Sequence, residues 1–168
     1  MLGIRERNPP WYLMRQQAGF GCFWGNWLRY EVYCGKAEDS RVQEVIGFVC
    51  ADLQRRGKCR YNSELPCAWA VVRELFGLAL LPAEKRGKEI QNAINAGIHF
   101  LLDEYDVLKA NYPADNKPHE LWNSLSFPLY YHADVLLILR ILKELNSLHH
   151  PNAQPAMDWL RAKQQKDG

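Results

Sequence analysis

The stretch Phe127-Pro128-Leu129-Tyr130-Tyr131-His132-Ala133-Asp134, continued by Val135-Leu136-Leu137-Ile138-Leu139-Arg140-Ile141-Leu142-Lys143-Glu144-Leu145, decides the fold. Between Val135 and Leu145 only Arg140, Lys143 and Glu144 carry charge, so the polar stripe is narrow and most of the circumference is apolar. A helix of that kind is buried on most sides. Pro128 suits a first helical turn, where its missing N–H costs nothing, and no further Pro or Gly interrupts the run before Pro151. The pattern predicts one helix of about five turns over 127–145. At its start stand Tyr131, His132 and Asp134, three side chains able to do chemistry where a buried helix would open onto a cavity.

Two more stretches share this dry character. One covers 22–34 and is followed by Gly35, placed for a left-handed cap. The other covers 67–81 after Pro66, with Arg73 and Glu74 as its only charges. Amphipathic helices follow the dry ones. Over 40–57, Val42, Val45, Ile46, Val49, Cys50 and Leu53 recur at intervals of three and four; Ser40 with Gln43 reads as a capping box and Gly57 as the stop. Over 88–105 the apolar face is Ile90, Ala93, Ile94, Gly97, Ile98, Leu101 and Leu102, and a last amphipathic helix is expected over 153–165. Residues 11–17 have helical character ahead of these. The long connection 106–126, with Tyr112-Pro113, Lys117-Pro118 and Trp122, is expected to pack on the surface. No segment alternates with period two, so the chain is predicted to be all-α with no sheet.

The chain of 168 residues, 48% hydrophobic, fits one domain with apolar material enough for a core. A formal charge of +2 and no basic block longer than Arg55-Arg56-Gly57-Lys58-Cys59-Arg60 argue against a nucleic-acid partner. The first ten residues are polar and carry both charge signs, unlike a secretory signal. No apolar run reaches the roughly 18 residues that a membrane-spanning helix needs, so no transmembrane segment is expected. The cysteines Cys22, Cys34, Cys50, Cys59 and Cys67 are odd in number and form no Cys-x-x-Cys pair, which reads as reduced thiols in a cytoplasmic protein.

Dry and amphipathic helices alternate three times. Cys22, Cys67 and His132 occupy matching places at the starts of the dry helices, with Trp24, Trp69 and Asp134 two residues on. Val42-Gln43, Ile90-Gln91 and Ala153-Gln154 match in the amphipathic ones. After an N-terminal segment 1–21, the hairpins fall at about 22–57, 66–105 and 128–168. Dry helices inside and half-wet ones outside make a double-layered arc, a partial α/α toroid in one domain.

At this point the sequence resembles the α/α-toroid superfamily of terpenoid cyclases and protein prenyltransferases. Leu160-Arg161-Ala162-Lys163-Gln164-Gln165-Lys166-Asp167-Gly168 is similar to the Gln-x-x-Asp-Gly end of the squalene-cyclase-like repeat, with Leu53-Gln54-Arg55-Arg56-Gly57 and Gln16-Gln17-Ala18-Gly19-Phe20 as weaker copies. Tyr131-His132 opening an apolar helix resembles the Tyr-His segment of prenyltransferase β subunits, whose His binds zinc, and Cys67 falls where that family places its zinc-bound Cys. The chain departs from the family where it has Leu65 in place of the Asp two residues before that Cys. It also lacks the Asp-x-Asp-Asp and Asp-Asp-x-x-Asp motifs, and Asp103-Glu104-Tyr105-Asp106 lies on an outer helix. The toroids of this superfamily close with more than three hairpins, so the resemblance implies a larger ring, a homo-oligomer, or an open cavity.

The resemblance implies an isoprenoid-type ligand at the mouth of the inner helices, with Trp24, Trp27, Tyr30, Trp69 and Tyr131 lining it, since aromatic faces stabilise cations and apolar chains. Asp134, His132 and Tyr131 would be the catalytic group, a buried Asp acting as general acid. Cys22, Cys67 and His132 would be ligands of a zinc ion. Converging helix N-termini with Arg29 and Lys117 would favour an anion such as diphosphate. Each has a plainer alternative. The cysteines would be small helix-start residues, His132 a hydrogen-bonded core histidine, Asp134 an acceptor of backbone N–H groups, and the aromatic residues packing between hairpins. A different class also fits: a non-catalytic helical-repeat module for protein–protein interaction or self-assembly.

Overall fold

Phe20 leads directly into a helix whose glycines let it press backbone to backbone on the most buried element of the chain. The computed structural model describes residues 20–109, 118–130 and 132–165. Among them run six α-helices: α1 (Gly21–Tyr33), α2 (Ser40–Gln54), α3 (Ala68–Leu78), α4 (Lys88–His99), α5 (Val135–Glu144) and α6 (Gln154–Arg161). No strand occurs among the described residues, only an isolated antiparallel bridge between Cys59 and Leu65. No helix among them is long and apolar enough to cross a membrane. The protein is all-α.

The centre is α3, of whose residues Phe76 alone is not buried. Apolar side chains on every side leave it no wet face, so it is stable only when surrounded. Its broadest neighbour is α1, and it also meets α2, α4 and α5; α2 packs on α4, and α5 on α6. The α1–α3 crossing depends on small residues. A Cβ on Gly25 would lie 2.0 Å from the carbonyl oxygen of Arg73, and one on Gly77 would lie 2.7 Å from the carbonyl oxygen of Gly25. Only glycine admits backbones that close.

α4 runs on into a π-helical turn, Phe100–Glu104, that buries Phe100, Leu101 and Leu102. Asp103 there receives Nδ1 of His99 at 2.8 Å and Nδ2 of Asn152 at 2.9 Å, and lies 3.6 Å from Nε2 of His150. These contacts fasten the end of α4 to the 3-10 turn Pro151–Ala153 that opens α6.

Several helix starts differ from expectation. The helix predicted over 127–145 begins at Val135, because Asp134 takes an extended conformation and its side chain accepts the N–H of Leu137 at 2.8 Å. Ahead of it, Tyr130 has a φ of 39° and Phe127, joined to Pro128 by a cis peptide, is 96% exposed, so 127–130 is irregular and lies on the surface, while Ala133 is buried. The cap of α2 is Asp39, which accepts the N–H of Arg41; Ser40 is the first helical residue and Gln43 donates to the carbonyl of Ala37. Gly35 and Gly57 do adopt the left-handed conformation expected of helix stops. Trp122, expected on the surface, is fully buried, and its Nε1 donates to the carbonyl of Val107 at 2.7 Å. The predicted helix over 11–17 lies outside the described residues, as do Gln16, Gln17, Tyr112, Pro113, Lys117, Tyr131 and 166–168.

Candidate functional site

The first turns of α1 and α3 and the loop before α5 meet at one end of the helices, and Arg73 joins them. This guanidinium, on a residue 4% exposed, donates to Oδ1 of Asn26 in α1 at 3.1 Å. It also donates to the carbonyls of Tyr130 at 3.1 Å, Leu129 at 3.4 Å, and His132. An arginine presents five donors in a rigid fork, and here the fork gathers a loop's carbonyls against two helices. Burial lowers its affinity for the proton, while Cys22, Tyr30 and Asp134, near enough to act through charge, oppose that shift.

Above Arg73, one turn back on α3, Trp69 meets the rings of His119 and His132 edge-on, with centroids 4.9 and 5.3 Å away. Nδ1 of His119 accepts the N–H of Leu121, so its protonated nitrogen in the neutral ring is Nε2. Nδ1 of His132 lies 3.0 Å from the carbonyl of Leu129 and must donate to it, the opposite tautomer. Below Arg73, Phe76 carries the Arg29 guanidinium 4.2 Å from its ring centroid, with Arg140 of α5 at 5.7 Å on the same ring. Arg29 forms a forked pair with Glu144 at 2.6 and 3.1 Å and donates to the carbonyl of Phe76 at 3.0 Å. Burial pushes the Glu144 carboxyl up, but the hydrogen bonds and charges of Arg29 and Arg140 outweigh it and hold the group below its ordinary value.

The expected site residues fall into separate groups. Cys22, half-buried in the first turn of α1, lies within charge range of Cys59 and Cys67, and burial raises its thiol pKa. Cys67 turns to Cys59 and His132 to Trp69 and Leu129. Among the described residues no three His, Cys, Asp or Glu side chains are grouped to hold a metal ion. Trp24 is buried in a different cluster, edge-on to Phe23, Trp27 and Phe48 at 4.9, 6.0 and 6.3 Å. Tyr30 is 68% exposed, near Arg73 rather than beside Trp24. Asp134 caps α5; burial raises its carboxyl pKa against the Leu137 hydrogen bond and the charge of Arg73. Arg29, expected to assist an anion, is occupied by Glu144, and Tyr131 lies outside the described residues.

No protein-family model, curated protein or solved structure matches this chain.

Three groups escaped the reading of the sequence. Arg73 and Glu74 were visible as the only charges in a dry helix, the signal that they are buried and partnered, but nothing in the pattern named the partners. Glu74 turns to the other side of α3, fully buried, where its carboxyl meets that of Asp52 in α2. No other donor among the described residues reaches either Glu74 oxygen or Oδ2 of Asp52. Burial and the repulsion of Asp52 raise Glu74 well above its ordinary pKa, and burial raises Asp52 against the opposing charge of Arg55. Cys59 carried no signal beyond that of a reduced thiol. His119 lay in the long connection and carried no periodic signal.

Proposed function

We propose that the chain is a partial α/α toroid of the terpenoid-cyclase and protein-prenyltransferase kind, holding an apolar, isoprenoid-type ligand on the exposed side of its inner helices. The observation that carries this reading is the pairing of helices. α1, α3 and α5 follow one another side by side, while α2 packs on α4 and the end of α4 meets the start of α6. That is the contact pattern of an inner and an outer layer. One surface of the inner layer joins all three helices, because Arg29, Phe76 and Arg140 stack there. Leu136, 46% exposed, extends it one turn along α5. Apolar and aromatic faces edged by arginines suit a greasy chain with a polar head. Catalysis in this reading falls to Asp134, whose buried carboxyl keeps its proton more readily than an exposed one, with His132 beside it and Tyr131 next in the chain.

Titration with farnesol, followed by tryptophan fluorescence, tests the reading. A saturable change that is reduced at least tenfold in affinity by Leu136→Glu, and that a linear alcohol of equal carbon number does not produce, is expected. A response no different from that of the linear alcohol would overturn it.

The exposed aromatics of α1 favour a second reading, a module that completes its arc with further hairpins or with another copy. Phe23 and Tyr33 stand in solvent on a helix whose described neighbours cover only part of its surface. Light scattering after size exclusion decides between them, since an oligomer that Phe23→Glu dissociates supports self-assembly and a monomer removes it.

A further inference from the structure

The segment between α2 and α3 doubles back on itself. Gly57 ends α2, Cys59 pairs with Leu65 through an N–H···O bond of 3.2 Å, and the N–H of Cys67 returns to the carbonyl of Arg56 at 3.1 Å. This brings the two cysteines together at the threshold of α3, close enough for each thiol to act on the other. Both are reduced and buried, and the chain between them is the short turn around Arg60–Asn62. We propose that Cys59 and Cys67 are a reactive dithiol that hydroperoxides convert to an intramolecular disulfide, Cys59 attacking and Cys67 resolving.

The two sulfurs are differently prepared. The Cys59 sulfur lies beside the Cys67 thiol and near the backbone N–H groups of Tyr61 and Asn62. Against burial and the charge of Glu64, these bring its pKa down to about 6. The neighbouring Cys59 and near-complete burial push the Cys67 thiol well above its ordinary value. A thiol with a lowered pKa beside one with a raised pKa is the arrangement of an attacking and a resolving cysteine. Burial at 7% and 3% exposure admits a small oxidant in preference to a bulky disulfide.

In the first step the Cys59 thiolate attacks the terminal, hydrogen-bearing oxygen of the hydroperoxide. The S–O bond forms, the O–O bond breaks, and the departing hydroxide or alkoxide takes a proton from water, leaving a sulfenic acid. In the second the Cys67 sulfur attacks the Cys59 sulfur, the S–O bond breaks, and the hydroxyl leaves as water with the Cys67 proton. Counted from the neutral dithiol, the protein loses two electrons and two protons, and the peroxide takes up both. Cys22, within charge range of both, is the competing partner.

Hydrogen peroxide added to the full chain at neutral pH, followed by alkylation and peptide mapping, tests the proposal. A peptide linked Cys59 to Cys67, lighter by two hydrogens and restored by dithiothreitol, is expected. Its rate of formation should rise with pH with a midpoint near 6. Cys67→Ser should accumulate a Cys59 sulfenic acid that dimedone traps. Cys59→Ser should slow thiol loss at least tenfold. A link from Cys59 to Cys22, over-oxidation of Cys59 in the wild-type chain, or no reaction beyond that of the unfolded chain would overturn it. The wild-type map and the Cys67→Ser trap carry the decision even where Cys59→Ser fails to fold.

Discussion

Glu74 and Asp52 bury two carboxyls against each other, where the charge of Arg55 does not offset the burial of Asp52, and the consequence is a stability that depends on pH with a definite sign. Both groups bind their proton more tightly folded than unfolded. Between the ordinary carboxylate range and the raised folded value the native state therefore holds the extra proton, and stability falls as pH rises. The slope is about 1.4 kcal/mol per pH unit for each proton retained. Glu74→Gln removes the larger part of this. Urea midpoints measured from pH 4 to 8 should converge for the two proteins at the acid end and separate steadily in favour of the variant toward the alkaline end. Parallel curves would show that the pair is ionised. Asp134 makes a different contribution, through its hydrogen bond to Leu137. Asp134→Ala should cost about 1–2 kcal/mol of unfolding free energy, whereas Asp134→Asn, still able to cap, should cost less than half of that. Because Asn cannot donate a carboxyl proton, the same pair of variants separates capping from proton transfer in any activity assay.

At the scale of helices, the crossing of α1 on α3 rests on glycine, and two substitutions of the same kind should act in opposite directions. Gly25→Ala sets a methyl against the backbone of Arg73 and Glu74, at 2.0 Å from a carbonyl oxygen and 2.5 Å from a nitrogen. Neither can withdraw as a side chain would, so the helices must separate, and a loss of at least about 2 kcal/mol is expected in chemical denaturation. Gly47→Ala, on the exposed side of α2 with nothing within 4 Å, should instead stabilise by about 0.5–1 kcal/mol through helix propensity. Helix identities were readable from the period of the apolar residues, because burial imposes that period. Helix ends were less so, because competing caps lie within a few residues of one another. Pro128 and Asp134 both mark helix starts, and the cap won because Arg73 holds the carbonyls of Leu129 and Tyr130, and the N–H of His132 bonds back to Leu129, outside a helix. Asp39 won over Ser40 because its carboxylate receives both the backbone and the guanidinium of Arg41.

For the molecule as a whole, the sequence made plain that α3 would be inside, since it has almost no polar residue to turn outward, whereas α1, of similar character, leaves Phe23, Tyr30 and Tyr33 exposed. It did not reveal that Trp122 would be drawn in. A lone tryptophan in a polar connection has no periodic context, and its burial depends on the carbonyl of Val107 lying within reach of its Nε1. The site was legible in the same uneven way. Cys22, Cys67 and His132 do come to the same end of the helices, but Arg73 and Cys59, which organise that end, owe their role to contacts across 47 or more residues and to a turn that no pattern announces. The resulting molecule is unequal in its hold on its parts, and hydrogen exchange should read that directly. Amides of α3 close only when α1, α2, α4 and α5 surround them, so they should exchange last, by global unfolding alone. Those of α6, which buries only Ala156 fully within its length, and of the loop 118–130 should exchange through local opening, at least about a hundredfold faster. Arg73→Met, which removes the donors that gather the loop carbonyls, should raise exchange in the first turn of α5 while leaving the last turn of α3 slow. Uniform acceleration across all helices would mean that Arg73 acts on the core as a whole rather than on the loop it holds.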